Sequence, residues 1–231
     1  MTKQTQQTGR LSMCTSRTAD NSSYFLKIFL TTVPQNPSSE KDASLALTAR
    51  ALSSYLGLEP SPEILARKAR TPEGKPYFPD YPDFHYNISH SGSYAACGMI
   101  CGGKAPQPIG IDIQEIPSAP RKALKIADHF FSEAERESLH LLVDRGDIST
   151  ALLLFCRYWT ARESYIKLTG RGLAEPFGSY YPDLEHGRIV VPGSDRQIYL
   201  TECTAPAGYC LSVCSYVAPE KNYHVETMSM C

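Results

Sequence analysis

Hydrophobic and polar positions change period several times along this chain. Residues 23–32, SYFLKIFLTT, crowd β-branched and aromatic side chains together and predict a strand. From Glu40 to Leu56 the period lengthens. Leu45, Leu47, Ala51, Leu52 and Tyr55 fall at helical spacing and Gly57 follows as a stop, so one amphipathic helix is expected. Residues 70–83, RTPEGKPYFPDYPD, hold too many Pro and Gly for regular structure and predict a long ordered loop. FHYNIS is a short strand entering HSG, and SYAACGMIC a buried strand running to Cys101. After the GGKAPQP break strict alternation returns over residues 109–116, IGIDIQEI. Ile109, Ile111 and Ile113 share one face, with Gly110, Asp112 and Gln114 on the other.

Helical spacing resumes at Ser132, where Glu135 three residues on completes a capping-box pattern. A longer helix is expected from Asp147 through Thr169, closed by Gly170 and Gly172. GRIVV, RQIYLTEC and GYCLSVCSYV read as strands separated by turn residues. The order of elements predicts an α+β protein of two similar halves breaking at GGKAPQP. Residues 23–107 form the first half and 108–220 the second, with a flexible tail over 1–22 and a loose tail over 221–231.

A hydrophobic share of 42% with 20% charged residues is ordinary for a globular protein. The formal net charge of −1 argues against nucleic acid as a partner, since phosphate affinity needs clustered Lys and Arg in excess. No apolar run suits a secretory signal, and none approaches the ~18 residues of a membrane span. A cytoplasmic protein with no membrane partner is expected. The eight cysteines then read as free thiols. Cys97 with Cys101, and Cys210 with Cys214, lie in strand-like runs that separate each pair by roughly 13 Å, too far for one zinc ion.

Asp112 is an acid within an apolar strand, either on the wet face of an edge strand or a working group in need of a partner. Glu163 is a candidate partner, on a helix able to pack across the end of that strand. Two converging carboxylates suit magnesium, which takes one or two of them and fills its octahedron with water and substrate phosphates. The ligand set therefore points to a diphosphate substrate. Gln114, on the same strand face, offers a neutral oxygen or a hold on a metal-bound water. Glu163 and Lys167 stand at i and i+4, an arrangement that stabilises an isolated helix by roughly 0.2–0.5 kcal/mol. Alternatively, Glu163 takes a proton or binds metal while Lys167 places positive charge on a phosphate. In NISHSG, residues 87–92, Ser89 and His90 either close a turn or donate to phosphate oxygens, and Lys75 of the GKP loop adds a charge for the same anion. A G-x-S-x-G elbow and a full P-loop pattern are both absent from the sequence.

GKPYFPDYPDFHYNISHSG, PIGIDIQEI, HFFSEAE and WTARESYIKLTGRGL stand in an order and at spacings that resemble the 4′-phosphopantetheinyl transferases, in the larger pseudodimeric type typified by the surfactin-synthetase activator. The likeness runs from about Lys41 to Val217. It implies two similar α/β subdomains related by a pseudo-twofold axis, with coenzyme A in the cleft between them. It also implies the reaction: the 4′-phosphopantetheine arm of coenzyme A passes to a serine of an apo acyl or peptidyl carrier protein, leaving 3′,5′-ADP. Matched residue by residue, Asp112 and Glu163 are metal-binding carboxylates, with Gln114 where the family often has a third acid. Glu163 doubles as general base and Lys167 as the lysine on the diphosphate. Lys75, Ser89 and His90 match coenzyme A contacts, and His90 joins Glu163 and Lys167 in the catalytic set. The resemblance further implies magnesium as cofactor and a monomer active alone. Carriers of fatty-acid, polyketide and non-ribosomal peptide synthesis are all open as acceptors. PSAPRKALKIADHFF, with Arg121, Lys122 and Lys125 beside Ile116, Leu124, Ile126 and Phe130, offers a basic and apolar surface to a carrier's acidic helix. The other readings are a non-catalytic coenzyme A or carrier-protein binding module, and a metal-dependent hydrolase of a nucleotide diphosphate.

Overall fold

The computed structural model describes residues 23–34, 39–72, 74–103, 105, 107–172, 176–220 and 223–229. The elements run β1 (Tyr24–Thr32), α1 (Ser39–Leu56), α2 (Pro62–Ala66), β2 (Ala69–Arg70), β3 (Pro76–Tyr77), β4 (Tyr86–Ser91), β5 (Tyr94–Gly102) and β6 (Ile109–Glu115). They continue with α3 (Pro120–Phe130), α4 (Glu133–Asp144), α5 (Ile148–Thr169), β7 (Tyr181–Asp183), β8 (Arg188–Val190), β9 (Tyr199–Cys203), β10 (Tyr209–Ser215) and β11 (His224–Met228). One sheet has the order β11-β1-β5-β4 and the other β6-β10-β9-β8-β7, so β4 and β6 are both edge strands.

The two sheets share an apolar layer. Leu26, Ile28 and Leu30 of β1 meet Ile109, Ile111 and Ile113 of β6, with Leu211 and Val213 of β10 completing it. Period-two alternation sends the other faces outward to helices. Phe29 of β1 packs with Ala43, Leu47, Ala51 and Leu52 of α1. On the second sheet, Ala161, Tyr165, Ile166 and Leu168 of α5 pack with Leu200 and Cys214. A helical cluster of Ala123, Ala127, Leu139, Leu152 and Phe155 fixes α3 and α4 against α5.

Leu45, placed on the buried face of the first helix by its spacing, is 47% exposed, and Ala43 takes the core position instead. The loop over 70–83 contains the small β2–β3 hairpin, joined through Ala69 with Tyr77 and Arg70 with Pro76. The largest departure lies at the C-terminus. The expected loose tail over 221–231 contains β11, which runs parallel to β1 from Lys27 with His224 to Thr31 with Met228. HVETM has too few apolar residues to announce a strand. The open edge of β1 supplies the partner, and Arg50 clasps Glu226 through two bonds of 2.7 and 2.8 Å. The expected tail over 1–22, Cys14, Cys231 and residues 35–38 of the PQNPSS turn lie outside the described residues. Among the described residues no helix is long and apolar enough to cross a membrane, and Cys97, Cys156, Cys203, Cys210 and Cys214 are free thiols.

Candidate active site

Three elements converge on Asp112. It lies in β6, on the face opposite the isoleucines, and α5 crosses directly over it. That crossing depends on Gly110. A Cβ there would sit 1.9 Å from the Ser164 carbonyl oxygen and 2.4 Å from the Leu168 nitrogen, so only glycine permits the approach. Small side chains extend the seam: Thr160 Oγ1 lies 2.9 Å from Ser212 Oγ, and Ser164 Oγ donates to Cys214 Sγ at 3.1 Å. Cys214, like Cys97, is wholly buried, which accounts for these thiols as compact packing groups.

With α5 held this low, Lys167 reaches the strand. Its Nζ donates to Asp112 Oδ1 at 2.6 Å and to Ser89 Oγ at 2.8 Å, and Ser89 Oγ donates to the same Oδ1 at 2.7 Å. Ser89 comes from β4 of the first sheet, so the triangle joins the two sheets. Lys75, in the loop before β3, donates from Nζ to the Lys167 carbonyl oxygen at 3.3 Å, close to where α5 ends at left-handed Gly170. Burial pulls the Lys75 ammonium below the ordinary lysine value.

Among the described residues Lys167 pairs with Asp112 and not with Glu163, its i−4 neighbour. Burial first, and the Asp112 charge second, push the Glu163 carboxyl above the ordinary glutamate value, with Lys167 opposing. Asp112 is 5% exposed; burial raises its carboxyl too, against the pull of Lys167, Ser89 and His90. Its Oδ2 is buried and has no hydrogen-bond partner among the described residues. Such an orphan oxygen, on a carboxylate whose charge is felt by Glu163, fits a divalent cation. Among the described residues no cluster of three or more His, Cys, Asp or Glu is arranged for a metal. Two carboxylates would leave most of the ligand positions of such a cation to water or to oxygens of a bound molecule.

His90 and Gln114 stand apart from the triangle. Strand alternation turns His90 to the α1 side, exposed, with Nε2 3.7 Å from Glu40. Gln114 shares the Asp112 face, but its Nε2 donates to the Glu115 carbonyl oxygen at 3.2 Å, toward the wet end of β6. Arg162, directly before Glu163 in the motif, points away from the site. It is 1% exposed, ion-paired to Glu135 and bonded through Nη1 to the Tyr180 carbonyl oxygen at 3.1 Å. The rings of Phe131 and Tyr180 lie 5.1 and 5.5 Å from its guanidinium carbon. Glu135 simultaneously serves the capping box of α4, accepting from the Ser132 nitrogen at 2.7 Å. The motif thus anchors two helices with one residue and serves the site with the next.

Gly110, Asn87 and Ser91 contribute to this geometry and were not singled out by their sequence context. The signal for Gly110 was present, as a glycine inside a strand pattern marks a close approach. Asn87 and Ser91 carried none beyond their period-two spacing from Ser89.

Residues 108–225 match the family model described as ACPS, the 4′-phosphopantetheinyl transferase superfamily. The chain is 36% identical over 145 residues to 4′-phosphopantetheinyl transferase Sfp of Bacillus subtilis, covering 62% of this chain and 59% of that protein. It is 31% identical over 173 residues to 4′-phosphopantetheinyl transferase gsp of Aneurinibacillus migulanus, covering 74% of this chain and 66% of the relative. Similarity extends to the L-aminoadipate-semialdehyde dehydrogenase-phosphopantetheinyl transferase of Mus musculus, 32% identical over 144 residues, 58% of this chain and 44% of that protein. Asp112, Glu163 and Lys167 all fall within the matched region. On that match, the chain belongs to the 4′-phosphopantetheinyl transferase superfamily.

Proposed function

We propose that this protein transfers the 4′-phosphopantetheine arm of coenzyme A to a serine of an apo acyl or peptidyl carrier protein and releases 3′,5′-ADP. The observation that carries this reading is the Ser89–Asp112–Lys167 triangle, with Asp112 Oδ2 left unpartnered and the Asp112 charge felt by Glu163. Asp112 and Glu163 would hold magnesium, with Gln114 contributing through a water. Bound there, the ion supplies charge neutralisation along the diphosphate.

The chain's own groups perform the rest. Lys167, with three N–H donors, presents positive charge to the diphosphate and stabilises negative charge growing on the leaving phosphate. Lys75 approaches from the loop before β3 to the same helix end and His90 donates to the nucleotide phosphates, while Ser89, whose one hydroxyl hydrogen goes to Asp112, orients Lys167. Glu163 accepts the proton of the carrier serine as its oxygen attacks the β-phosphorus in line. The new Ser O–P bond forms while the diphosphate P–O bond breaks, and the electron pair departs with 3′,5′-ADP. Because Lys75 and Ser89 precede β6, Asp112 lies on it and Glu163 and Lys167 follow, one chain supplies the whole site, which supports a monomer. Free cysteines support a reducing, cytoplasmic setting. The carrier docks on α3, where Arg121, Lys122 and Lys125 are exposed and Phe130 is 37% exposed beside them.

Chromatographic measurement of 3′,5′-ADP separates this reading from its rivals. Release from coenzyme A and Mg²⁺ only when an apo carrier protein is added supports the transferase. Release without any carrier would make the protein a hydrolase, and coenzyme A binding with no release in either case would make it a binding module.

A further inference from the structure

The two sheets meet at β4 and β6, and both strands have an open edge there. An edge strand exposes backbone N–H groups that need acceptors, above all when buried. On β6 those acceptors are side chains of β4. Asn87 Oδ1 accepts from the Ile111 nitrogen at 3.1 Å, and Ser91 Oγ accepts from the Glu115 nitrogen at 3.1 Å. Between them Ser89 Oγ donates to Asp112 Oδ1 at 2.7 Å. Asn87, Ser89 and Ser91 occupy successive positions on one face of β4, so all three point at β6. Asn87 and Ser89 are 7% and 4% exposed, so their two bonds are shielded from solvent, whereas the Ser91 bond lies at the exposed end. The hairpin after Ser91 is held as well: the Ser93 nitrogen donates to Tyr209 Oη at 3.0 Å, on the neighbour of β6.

We infer that Asn87 and Ser91 are positioning residues of the active site, forming with Ser89 a side-chain clip that replaces a backbone ladder between the two sheet edges and fixes Asp112 against Ser89 and Lys167. The outer two bonds grip the β6 backbone just before and three residues after Asp112, and the middle bond takes its carboxylate. With Oδ1 committed to Ser89 and Lys167, the direction of Oδ2 follows from the register of the clip. If the Asn87 bond is lost, the β6 backbone beside Asp112 is free to shift and the Oδ1 triangle loosens. The effect falls on cation and diphosphate binding, while carrier docking on α3 is untouched.

This inference rests on the proposed transferase activity, and its test keeps the two apart. Mg²⁺ binding to the coenzyme A-loaded protein is measured by calorimetry, and carrier modification by initial rates, for wild type, Asn87→Ala, Asn87→Asp, Ser91→Ala and Ser91→Thr. Asn87→Ala and Ser91→Ala are expected to weaken Mg²⁺ binding and lower kcat by about tenfold, the rate equivalent of one lost bond. The carrier KM should stay near wild type. Asn87→Asp and Ser91→Thr keep the acceptor oxygen and should recover most of the Mg²⁺ affinity. Alanine variants with lower Tm but wild-type Mg²⁺ affinity and kcat would overturn the inference, reducing the clip to a stabilising contact. If Asn87→Ala does not fold, the exposed-side pair Ser91→Ala and Ser91→Thr decides by the same criteria. A wild type that modifies no carrier contradicts the functional reading alone, and the calorimetric comparison still tests the clip.

Discussion

Glu163 and Asp112 are carboxylates that the fold pushes in the same direction for related reasons. For Glu163, burial and then the Asp112 charge raise the carboxyl above its ordinary value of 4.5. A base shifted that way is protonated, and idle, at a pH where an exposed glutamate is still ionised. In the metal-free protein the Glu163 carboxyl should therefore titrate above 4.5 when followed by NMR, and Mg²⁺ should draw it down; titration at or below 4.5 without metal would contradict its burial within reach of the Asp112 charge. For Asp112 the shift is also a stability statement. Its carboxyl is raised above 3.8, so over the interval from 3.8 up to the folded value the folded protein keeps a proton that the unfolded chain has released. Stability of the metal-free protein thus falls as pH rises through that interval and stays lower above it. Asp112→Asn should raise the Tm of metal-free protein at pH 7 and abolish the stabilisation that Mg²⁺ gives wild type. A lower Tm in this variant would mean that the Lys167 pair outweighs the burial of the charge. In the sequence, Asp112, Glu163, Lys167 and Ser89 were legible because each is a polar group in a context that does not need one. Which oxygen is committed and which is orphaned depends on three chain segments meeting and could not be read there.

Helix α5 gathers most of these consequences. Its limits were readable, since Asp147 at the N-cap and left-handed Gly170 at the C-cap are local signals. Its height above the sheet was not, because that depends on Gly110 lying under Ser164 and Leu168. Gly110→Ala should leave a folded protein destabilised by about 1–3 kcal/mol, the usual cost of overpacking, while transfer falls at least tenfold because Glu163 and Lys167 are lifted from Asp112. Wild-type kcat in this variant, checked by initial rates beside a thermal melt, would show that the height of α5 is not critical. One turn of chain away, Arg162 and Glu135 form a buried ion pair between Phe131 and Tyr180. Removing Glu135 takes away a carboxylate that faces a buried guanidinium. Glu135→Ala should cost about 3–5 kcal/mol in urea unfolding, against less than about 1 kcal/mol for the half-exposed Arg157–Glu202 pair. Equal losses would argue that Arg162 is reached by water. The motif spelling R-E thus encodes a scaffold residue and a site residue on adjacent faces of one helix.

For the molecule as a whole, an α+β fold was visible in the alternation of strand and helix periods. How its two sheets join was not. The shared layer of Leu26, Ile28 and Leu30 against Ile109, Ile111 and Ile113 needs the third dimension, as does the return of β11 to the first sheet. A five-residue strand with one valine carries little local signal, and its pairing spans nearly the full chain. These joints matter for function because the triangle around Asp112 takes Ser89 from one half and Lys167 from the other. The central claim is that this cross-half triangle serves phosphopantetheine transfer. It is tested most directly by the intact mass of apo carrier proteins incubated with the protein, coenzyme A and Mg²⁺, with Glu163→Gln protein and an EDTA-treated sample alongside. The account predicts a gain of one phosphopantetheine on the carrier serine that is lost in both controls. An unchanged mass on every carrier, from protein that is folded and binds coenzyme A, would contradict it.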